Sequence, residues 1–257
     1  MSPSSRIDAF RTRLLAREPM MGTFLKTPSP IVCEVLGLSP LACVCLDAEH
    51  APFGRMEIDG CIAALRAADM PSLVRAQMGT AGEILTVLDA GATGVVLPHI
   101  VSGAQASEAV RKAHYGAGGR GYAGSSRAAR YTTKPMPDHL RDSAASTIVI
   151  AQIEDAEALN NLDEIASVEG IDCIFVGRID LTISLGAKNP TDAVVIDAVN
   201  KICEVGVRHG KTIGMFVPPT EDCTMWQAKG ASFFMLASDH GFLLDGARAL
   251  ATKIALK

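Results

Sequence analysis

The sequence predicts a single (β/α)₈ TIM barrel of the α/β class, formed by residues 1–257 with a helix ahead of the first strand. The length of 257 residues is typical of one such barrel. Short apolar runs alternate with helical patterns along nearly the whole chain, which is typical of repeated β–α units. Each apolar run is continuous, as expected for parallel strands covered on both faces. An open doubly wound sheet usually begins with a glycine-rich turn, and the start of this sequence carries none.

Eight apolar runs are predicted as strands, and they cover residues 21–26, 41–47, 72–76, 94–100, 147–154, 173–178, 212–218 and 233–239. A helix is predicted ahead of the first strand, over Arg6–Arg17. Further helical patterns cover residues 56–69, 80–91, 156–168 and 191–210. The glycine-rich, basic segment 114–140 interrupts the alternation, and we expect an ordered loop with short helices there.

Composition and charge exclude several classes of protein. The net charge is −4 and the sequence has no run of Lys and Arg, which argues against a nucleic-acid partner. No stretch approaches the roughly 18 apolar residues of a membrane span, and the first residues lack the apolar core of a signal peptide. We therefore expect a cytoplasmic protein with no membrane partner. The seven cysteines include no C-x-x-C pair, which favours buried thiols in a reducing compartment.

Acidic residues follow two neighbouring strands at the rim where the active sites of such barrels lie. Gln152 and Glu154 are two residues apart and face the same side of the fifth strand. Asp180 follows the sixth strand, so its carboxylate can converge with that of Glu154. Two carboxylates suit a hard divalent cation that keeps water or substrate oxygens in its shell. The alternative is that both are solvated loop acids.

Three further groups end strands at the same rim. His50 follows Asp47 by three residues, an arrangement suited to a general base that a carboxylate orients. The alternative is a surface histidine with a satisfied hydrogen bond. Arg75 ends an apolar strand and is suited to binding an anion, or else forms a structural salt bridge. His99 follows Pro98 after the fourth strand and could also line the site.

An ordered set of motifs resembles the HpcH/HpaI aldolase family. These motifs are Asp47-Ala-Glu-His50-Ala-Pro, the strand around Arg75, Leu88-Asp89-Ala-Gly-Ala, Leu97-Pro98, Gln152-Ile-Glu154 and Gly177-Arg-Ile-Asp180-Leu, and they span nearly the whole chain. The resemblance implies a barrel of the phosphoenolpyruvate/pyruvate-domain type with a swapped helix, assembled as a homo-hexamer from dimers. It also implies a class II aldolase that uses Mg²⁺, Mn²⁺ or Co²⁺. Such an enzyme joins a 2-keto acid, such as pyruvate or hydroxypyruvate, to an aldehyde, and it also catalyses the reverse cleavage of the product.

The resemblance implies a role for each residue that matches a motif. Glu154 and Asp180 would ligate the metal. Gln152 and the backbone of Ile179 and Asp180 would hold the carboxylate of the keto acid. Arg75 would stabilise the enolate oxygen. These roles agree with the chemistry, because negative charge develops on the keto oxygen when the enolate forms.

Five more residues receive roles in proton transfer and substrate fit. His50, paired with Asp47, would be the acid/base, and Glu49 would act through metal-bound water. Asp89 would reach the site of a neighbouring subunit. Phe216 and residues near it would decide which keto acid is accepted.

The aldehyde pocket is where this chain departs from many relatives of that family. Phe24, Phe216 and the segment Arg120–Arg130 are the candidates to line it. Arg127 and Arg130 could favour acidic or phosphorylated aldehydes, or could be salt-bridge partners across subunits. Apart from Lys26, the carboxyl ends of the predicted strands carry no lysine, which argues against an imine mechanism.

Three other functions fit a barrel with a metal at its rim. A lyase for acyl-CoA hydroxyacids, of the malyl- or citramalyl-CoA type, is disfavoured by the Asp-Ala-Glu-His motif at 47–50. An isomerase of the phosphoenolpyruvate mutase type would turn over without releasing an aldehyde. A metal-binding barrel without activity is disfavoured because acid, base and anion-binding groups occur together.

Overall fold

Eight parallel strands close into one barrel, in which each strand pairs with its neighbour in the sequence and β8 pairs with β1. They are found in a computed structural model of the chain, which describes residues 5–218 and 223–254. The strands are β1 Met20–Leu25, β2 Cys43–Asp47, β3 Ser72–Arg75, β4 Gly94–Leu97, β5 Ile148–Ile153, β6 Cys173–Val176, β7 Thr212–Val217 and β8 Ala231–Ser238. The predicted (β/α)₈ barrel is confirmed.

Helices surround the barrel and follow most strands. They are α1 Arg6–Leu15, α2 Pro30–Gly37, α3 Arg55–Ala67, α4 Ala81–Asp89, α5 Gly103–Ala113, α6 Met136–Ser146, α7 Leu162–Ser167, α8 Arg178–Ser184, α9 Ala193–Arg208, α10 Cys223–Gln227 and α11 Asp239–Lys253, with a 3₁₀ helix at Ala156–Asn160. Across residues 5–218 and 223–254, no helix has the length and apolar character needed to cross a membrane.

Some element boundaries differ from the predicted ones for local reasons. The first helix ends before Arg17, whose φ of 57° is not helical. The fourth strand stops at Leu97 rather than at residue 100, because proline at 98 has no amide proton to donate and His99 has a φ of 55°. The sequence predicts that the sixth strand reaches Arg178, but in the structure this residue begins α8. Neither α2 nor α8 is predicted from the sequence, because both are short and lack a clear helical period.

The amino-terminal end of the barrel is closed by α1. Phe10 and Leu14 are buried and belong to the same apolar cluster as the side chains inside the barrel. The ring of Phe10 lies 6.3 Å from that of Phe233, and Thr212 donates a 2.5 Å hydrogen bond to the carbonyl of Leu14. Because this end is filled, the opposite rim is where a cavity can open.

The last helix, α11, is fixed at its start but leaves its apolar side chains in solvent. Asp239 is buried and accepts hydrogen bonds from the backbone amides of Lys26 and Thr27, at 2.7 and 3.1 Å. Beyond that point Leu243 and Leu250 are 67% and 60% exposed. A helix with exposed leucines on a barrel of this kind indicates a surface that another element covers.

Candidate active site

A cavity of about 580 Å³ opens at the carboxyl ends of the strands. Seven of the residues predicted for the site line it, and they are Asp47, His50, Arg75, Gln152, Ile179, Asp180 and Phe216. Glu49 and Glu154 contact residues of this group. Asp89 ends α4 and does not line the cavity of its own chain; one of its carboxylate oxygens lies 3.9 Å from Arg120.

Asp47 and Arg75 form a buried ion pair at the base of the cavity. They occupy paired positions on β2 and β3, which places the carboxylate beside the guanidinium. Arg75 donates to Asp47 Oδ1 from Nε at 3.0 Å and from Nη2 at 2.8 Å, and Lys26 Nζ lies 3.1 Å from Oδ2. Burial alone raises the pKa of Asp47, but Arg75 and Lys26 outweigh it and hold that pKa below its ordinary value. The pair therefore stays charged at neutral pH.

Arg75 also reaches the next acidic group along the rim. Its Nε lies 3.2 Å from Glu49 Oε2, and its guanidinium lies 4.8 Å from the ring centre of Phe24. Burial raises the pKa of Glu49, and the negative charge of the nearby Glu154 raises it further. The positive charge of Arg75 lowers this pKa but does not outweigh the other two effects, so the pKa of Glu49 lies above its ordinary value. Arg75 is thus held in one orientation by two carboxylates and an aromatic ring, and it still lines the cavity.

The imidazole of His50 has a different partner from the predicted one. The sequence predicts that it pairs with the Asp47 carboxylate. In the structure, Asp47 Oδ1 accepts a 3.2 Å hydrogen bond from the backbone amide of His50. The ring Nε2 of His50 lies 3.6 Å from Glu49 Oε2 instead. Asp47 is drawn towards Arg75 and Lys26, because full positive charges attract a buried carboxylate more strongly than an imidazole does.

Glu154 is buried, and two hydrogen bonds fix the orientation of its carboxylate. It is 2% exposed, accepts a hydrogen bond from Gln152 Nε2 and accepts another, at 3.0 Å, from the backbone amide of His99. Gly177 makes room for it, since a Cβ there would lie 2.5 Å from Glu154 Oε2. Gln152 is also buried, and its Oε1 has no partner among the described residues. The buried carboxylate of Glu154 thus lies beside an amide oxygen that accepts no hydrogen bond. Such a pair of oxygen atoms is suited to binding a cation.

A histidine joins this acidic group. Glu49, His99 and Glu154 each offer one ligand atom, and these three atoms lie within 4.8 Å of one another. Nδ1 of His99 lies 2.9 Å from Asp155 Oδ2, a hydrogen bond that raises the pKa of His99 above its ordinary value. The sequence predicts for His99 only a position where it could line the site. Its position directly after a barrel strand was the available signal, because the carboxyl end of every strand meets the same rim.

The residues considered for the aldehyde pocket divide into two groups. Phe24 and Phe216 line the cavity, with ring centres 6.2 Å apart. No residue of the segment Arg120–Arg130 lines it. Arg127 pairs with Asp59 of its own chain at 2.7 Å, so it is neither a free anion-binding group nor dependent on another subunit for a partner. Arg178 does line the cavity, with its guanidinium 5.5 Å from the ring centre of Trp226.

Comparison with known proteins agrees with this geometry. Residues 20–245 match the HpcH/HpaI aldolase/citrate lyase family. The chain is 31% identical over 253 residues to a hydroxypyruvate/pyruvate aldolase of Paraburkholderia phytofirmans, covering 95% of this chain and 96% of that one. It is 31% identical to a 5-keto-4-deoxy-D-glucarate aldolase of Shigella boydii, covering 94% of each.

A solved structure gives the same result for the fold. An HpcH/HpaI aldolase/citrate lyase family protein from Burkholderia cenocepacia superposes with a TM-score of 0.91 at 29% identity, covering 97% of this chain and 100% of that one. The match in sequence runs through every strand that carries a group of the cavity rim. The chain therefore belongs to the HpcH/HpaI aldolase/citrate lyase family.

Proposed function

We propose that this protein is a metal-dependent class II aldolase. It cleaves 4-hydroxy-2-keto acids to pyruvate, or hydroxypyruvate, and an aldehyde, and it catalyses the reverse aldol addition. The observation that carries this proposal is the buried guanidinium of Arg75, which lines the cavity and lies 3.2 Å from Glu49, in the same group of acids as the buried carboxylate of Glu154. An enolate-forming enzyme needs both a cationic donor and a site for a cation around the keto oxygen.

The keto acid is held by residues of β5 and α8. Glu154 and Asp180 would hold the divalent ion, for which Mg²⁺, Mn²⁺ and Co²⁺ are the candidates, and when bound this ion would supply Lewis acidity towards the keto oxygen. Gln152 and the backbone at Ile179 and Asp180 bind the substrate carboxylate. Gln152, Ile179 and Asp180 line the same cavity, which supports this assignment.

Arg75 stabilises the negative charge that develops on the keto oxygen. Its orientation is fixed before substrate binds, because Asp47 holds two of its nitrogens and Glu49 lies against Nε. A donor that is already oriented loses little free energy to reorganisation during the reaction. Asp47 therefore acts as a positioning residue for Arg75.

His50 transfers the proton of the C4 hydroxyl. In cleavage its imidazole takes that proton while the C3–C4 bond breaks; the electron pair passes to C3 and the aldehyde leaves. In aldol addition His50 returns the proton to the new alkoxide. The ring lines the cavity and is half exposed, with Glu49 3.6 Å from Nε2 to orient it.

The side chains around the reacting carbons set the choice of substrate. Phe216 lies where it can contact the methyl or hydroxymethyl group of the keto acid, and Phe24 faces it across the cavity. Residues 1–257 act as one barrel domain, although residues 1–4, 219–222 and 255–257 lie outside the described part of the chain. All seven cysteines are free thiols, which supports a reducing, cytoplasmic location.

The functional assembly is a homo-hexamer, a trimer of dimers in which protomers exchange α11. The exposed leucines of α11 need a cover, and the outer face of the barrel next to β1 exposes Met21, Ile31 and Val35. These two apolar surfaces are complementary if a second copy of the chain supplies the helix. Asp89 then belongs to the site of a neighbouring subunit.

Charges on the exposed face of α11 are expected to reduce the size of the assembly. The double substitution Leu243→Asp and Leu250→Asp places two carboxylates on one side of the helix, seven residues apart. We expect a smaller species by sedimentation velocity, with the barrel still folded by circular dichroism. Arg248→Gln, on the polar side of the same helix, is the control and should leave the assembly unchanged. A hexamer of normal size in the double variant would contradict the exchange of α11.

The experiment that tests the proposed function is hydrogen–deuterium exchange into the methyl group of pyruvate, followed by NMR in D₂O. It is run with Mg²⁺, Mn²⁺ and Co²⁺ in turn and with a chelator, and it is paired with aldol addition to a panel of aldehydes. Exchange or addition that requires the metal supports the proposal. If neither occurs with pyruvate or hydroxypyruvate under any of these metals, the proposal fails and an acyl-CoA lyase or a mutase-type isomerase is the better description.

A further inference from the structure

The turn after β4 directs a histidine back towards the buried acids. Proline at 98 ends the strand, and His99 has a φ of 55°, in the left-handed region that most side chains avoid. In this conformation its backbone amide donates to Glu154 Oε1 at 3.0 Å. The strained backbone is thus tied to the carboxylate proposed as a metal ligand, which is where such strain usually has a function.

Both ring nitrogens of His99 face carboxylates. Nδ1 lies 2.9 Å from Asp155 Oδ2 and 3.6 Å from Glu154 Oε1, and Nε2 lies 3.6 Å from Glu49 Oε1. A hydrogen bond from Nδ1–H to Asp155 leaves the lone pair on Nε2, on the side of Glu49. Histidines that bind a metal usually do so through one ring nitrogen and donate a hydrogen bond from the other ring nitrogen to a carboxylate.

The spacing of the three groups fits a single ion. Ligand atoms at about 2.1 Å from a metal lie roughly 3 Å apart when adjacent and about 4.2 Å apart when opposite. His99 Nε2 lies 3.6 Å from Glu49 Oε1, and His99 Nδ1 lies 3.6 Å from Glu154 Oε1, which is between these two separations. The buried Oε1 of Gln152, beside Glu154, makes no hydrogen bond within the described part of the chain. This unpartnered oxygen is an independent indication that a cation completes the group.

We propose that His99 supplies a nitrogen ligand, through Nε2, to the divalent ion that Glu154 holds. The inference rests on the proposed function only in that Glu154 binds a metal. An imidazole ligand favours borderline ions such as Co²⁺, Ni²⁺ and Zn²⁺, whereas Mg²⁺ prefers oxygen. This site therefore discriminates against Mg²⁺ more strongly than a site built from carboxylates alone. Asp155 is the positioning residue that orients the ring.

The test measures metal binding by the full-length, metal-free enzyme. Isothermal titration gives the affinities for Co²⁺ and Mg²⁺, and pulsed EPR of the Mn²⁺-loaded enzyme detects directly bound ¹⁴N. In His99→Asn, which tolerates the left-handed backbone, we expect Co²⁺ affinity to fall about 10- to 100-fold and Mg²⁺ affinity to change less than about threefold. The ¹⁴N signal should vanish in His99→Asn and persist in His50→Ala, the matched control.

The outcomes separate this inference from the proposed function. A ¹⁴N signal that persists in His99→Asn, or an equal loss of Co²⁺ and Mg²⁺ affinity, overturns the role of His99 as a ligand. If the wild-type enzyme binds no divalent ion, the proposed function fails as well. Asp155→Asn gives a second reading, because loss of the orienting hydrogen bond should weaken Co²⁺ binding by about tenfold while the ¹⁴N signal remains.

Discussion

Replacement of Glu154 by glutamine is expected to lower aldol turnover by about 10³-fold or more. Glutamine has almost the same shape as glutamate but lacks the charge that binds a divalent ion. Lewis acidity at the keto oxygen is worth several kcal/mol of transition-state stabilisation, and each 1.36 kcal/mol corresponds to a factor of about ten in rate. Turnover in saturating metal, together with Mg²⁺ and Mn²⁺ affinities by calorimetry, measures the effect.

The stability of this variant distinguishes loss of metal binding from unfolding. Glu154 is buried, and an ionised carboxylate without a cation is costly in such a place. The metal-free Glu154→Gln protein should therefore melt no lower than the metal-free wild type. Glu157→Gln, the same substitution at an exposed position nearby, is the control and should keep both turnover and metal affinity. Full metal affinity in Glu154→Gln would remove this residue from the ligand set.

Replacement of Arg75 by methionine is expected to lower turnover by about 10²- to 10³-fold, the usual cost of removing one oxyanion donor. It should also destabilise the fold by about 3 kcal/mol, because Asp47 is left fully buried with Lys26 as its remaining cation. Chemical denaturation and steady-state kinetics measure the two effects separately. The double variant Asp47→Asn/Arg75→Met should recover much of the stability but none of the turnover. A double variant with restored turnover would show that Arg75 acts only on the fold.

The pH dependence of stability provides a second check on the same pair. In the wild type the pKa of Asp47 is held below its ordinary value, so the ion pair contributes stability above about pH 4 and loses it as the pH falls further. Without Arg75, burial should raise the pKa of Asp47. The variant is then penalised most at neutral pH, and its deficit relative to the wild type should shrink towards pH 4, where Asp47 is protonated. A deficit that does not depend on pH would mean that packing, not charge, is lost.

The sequence predicts those parts of the site that depend on strand parity and strand order. Gln152 and Glu154 share a face because residues two apart on a strand point the same way. Asp47 and Arg75 are both predicted at the rim because they end neighbouring strands, but their shared register and their ion pair come from the structure. Of the seven predicted residues that line the cavity, four lie on strands, and they are Asp47, Arg75, Gln152 and Phe216. The barrel itself follows from the repeated alternation, which does not depend on exact element boundaries.

The contacts of the site that the sequence does not predict depend on distances between loops. The imidazole of His50 lies nearer to Glu49 than to the Asp47 carboxylate, because Lys26 arrives from β1 to compete for Asp47. No local pattern in the sequence predicts that Lys26 and His50 compete for the Asp47 carboxylate. His99 enters the acidic group through a single left-handed turn, which sequence periodicity does not reveal. Arg127 was a candidate for anion binding, but its partner Asp59 lies 68 residues away in the sequence.

The closed amino-terminal end of the barrel has a kinetic consequence. With Phe10 and Leu14 packed among the interior side chains, both substrates of the proposed reaction share the mouth at the opposite rim. In the proposed reaction the keto acid binds at the base of the cavity, against Arg75, and the aldehyde enters after it from the mouth. We therefore expect synthesis to load the keto acid before the aldehyde, and cleavage to release the aldehyde before the keto acid. The helix that precedes the first strand, far from the proposed reacting atoms, would then impose an ordered sequential scheme.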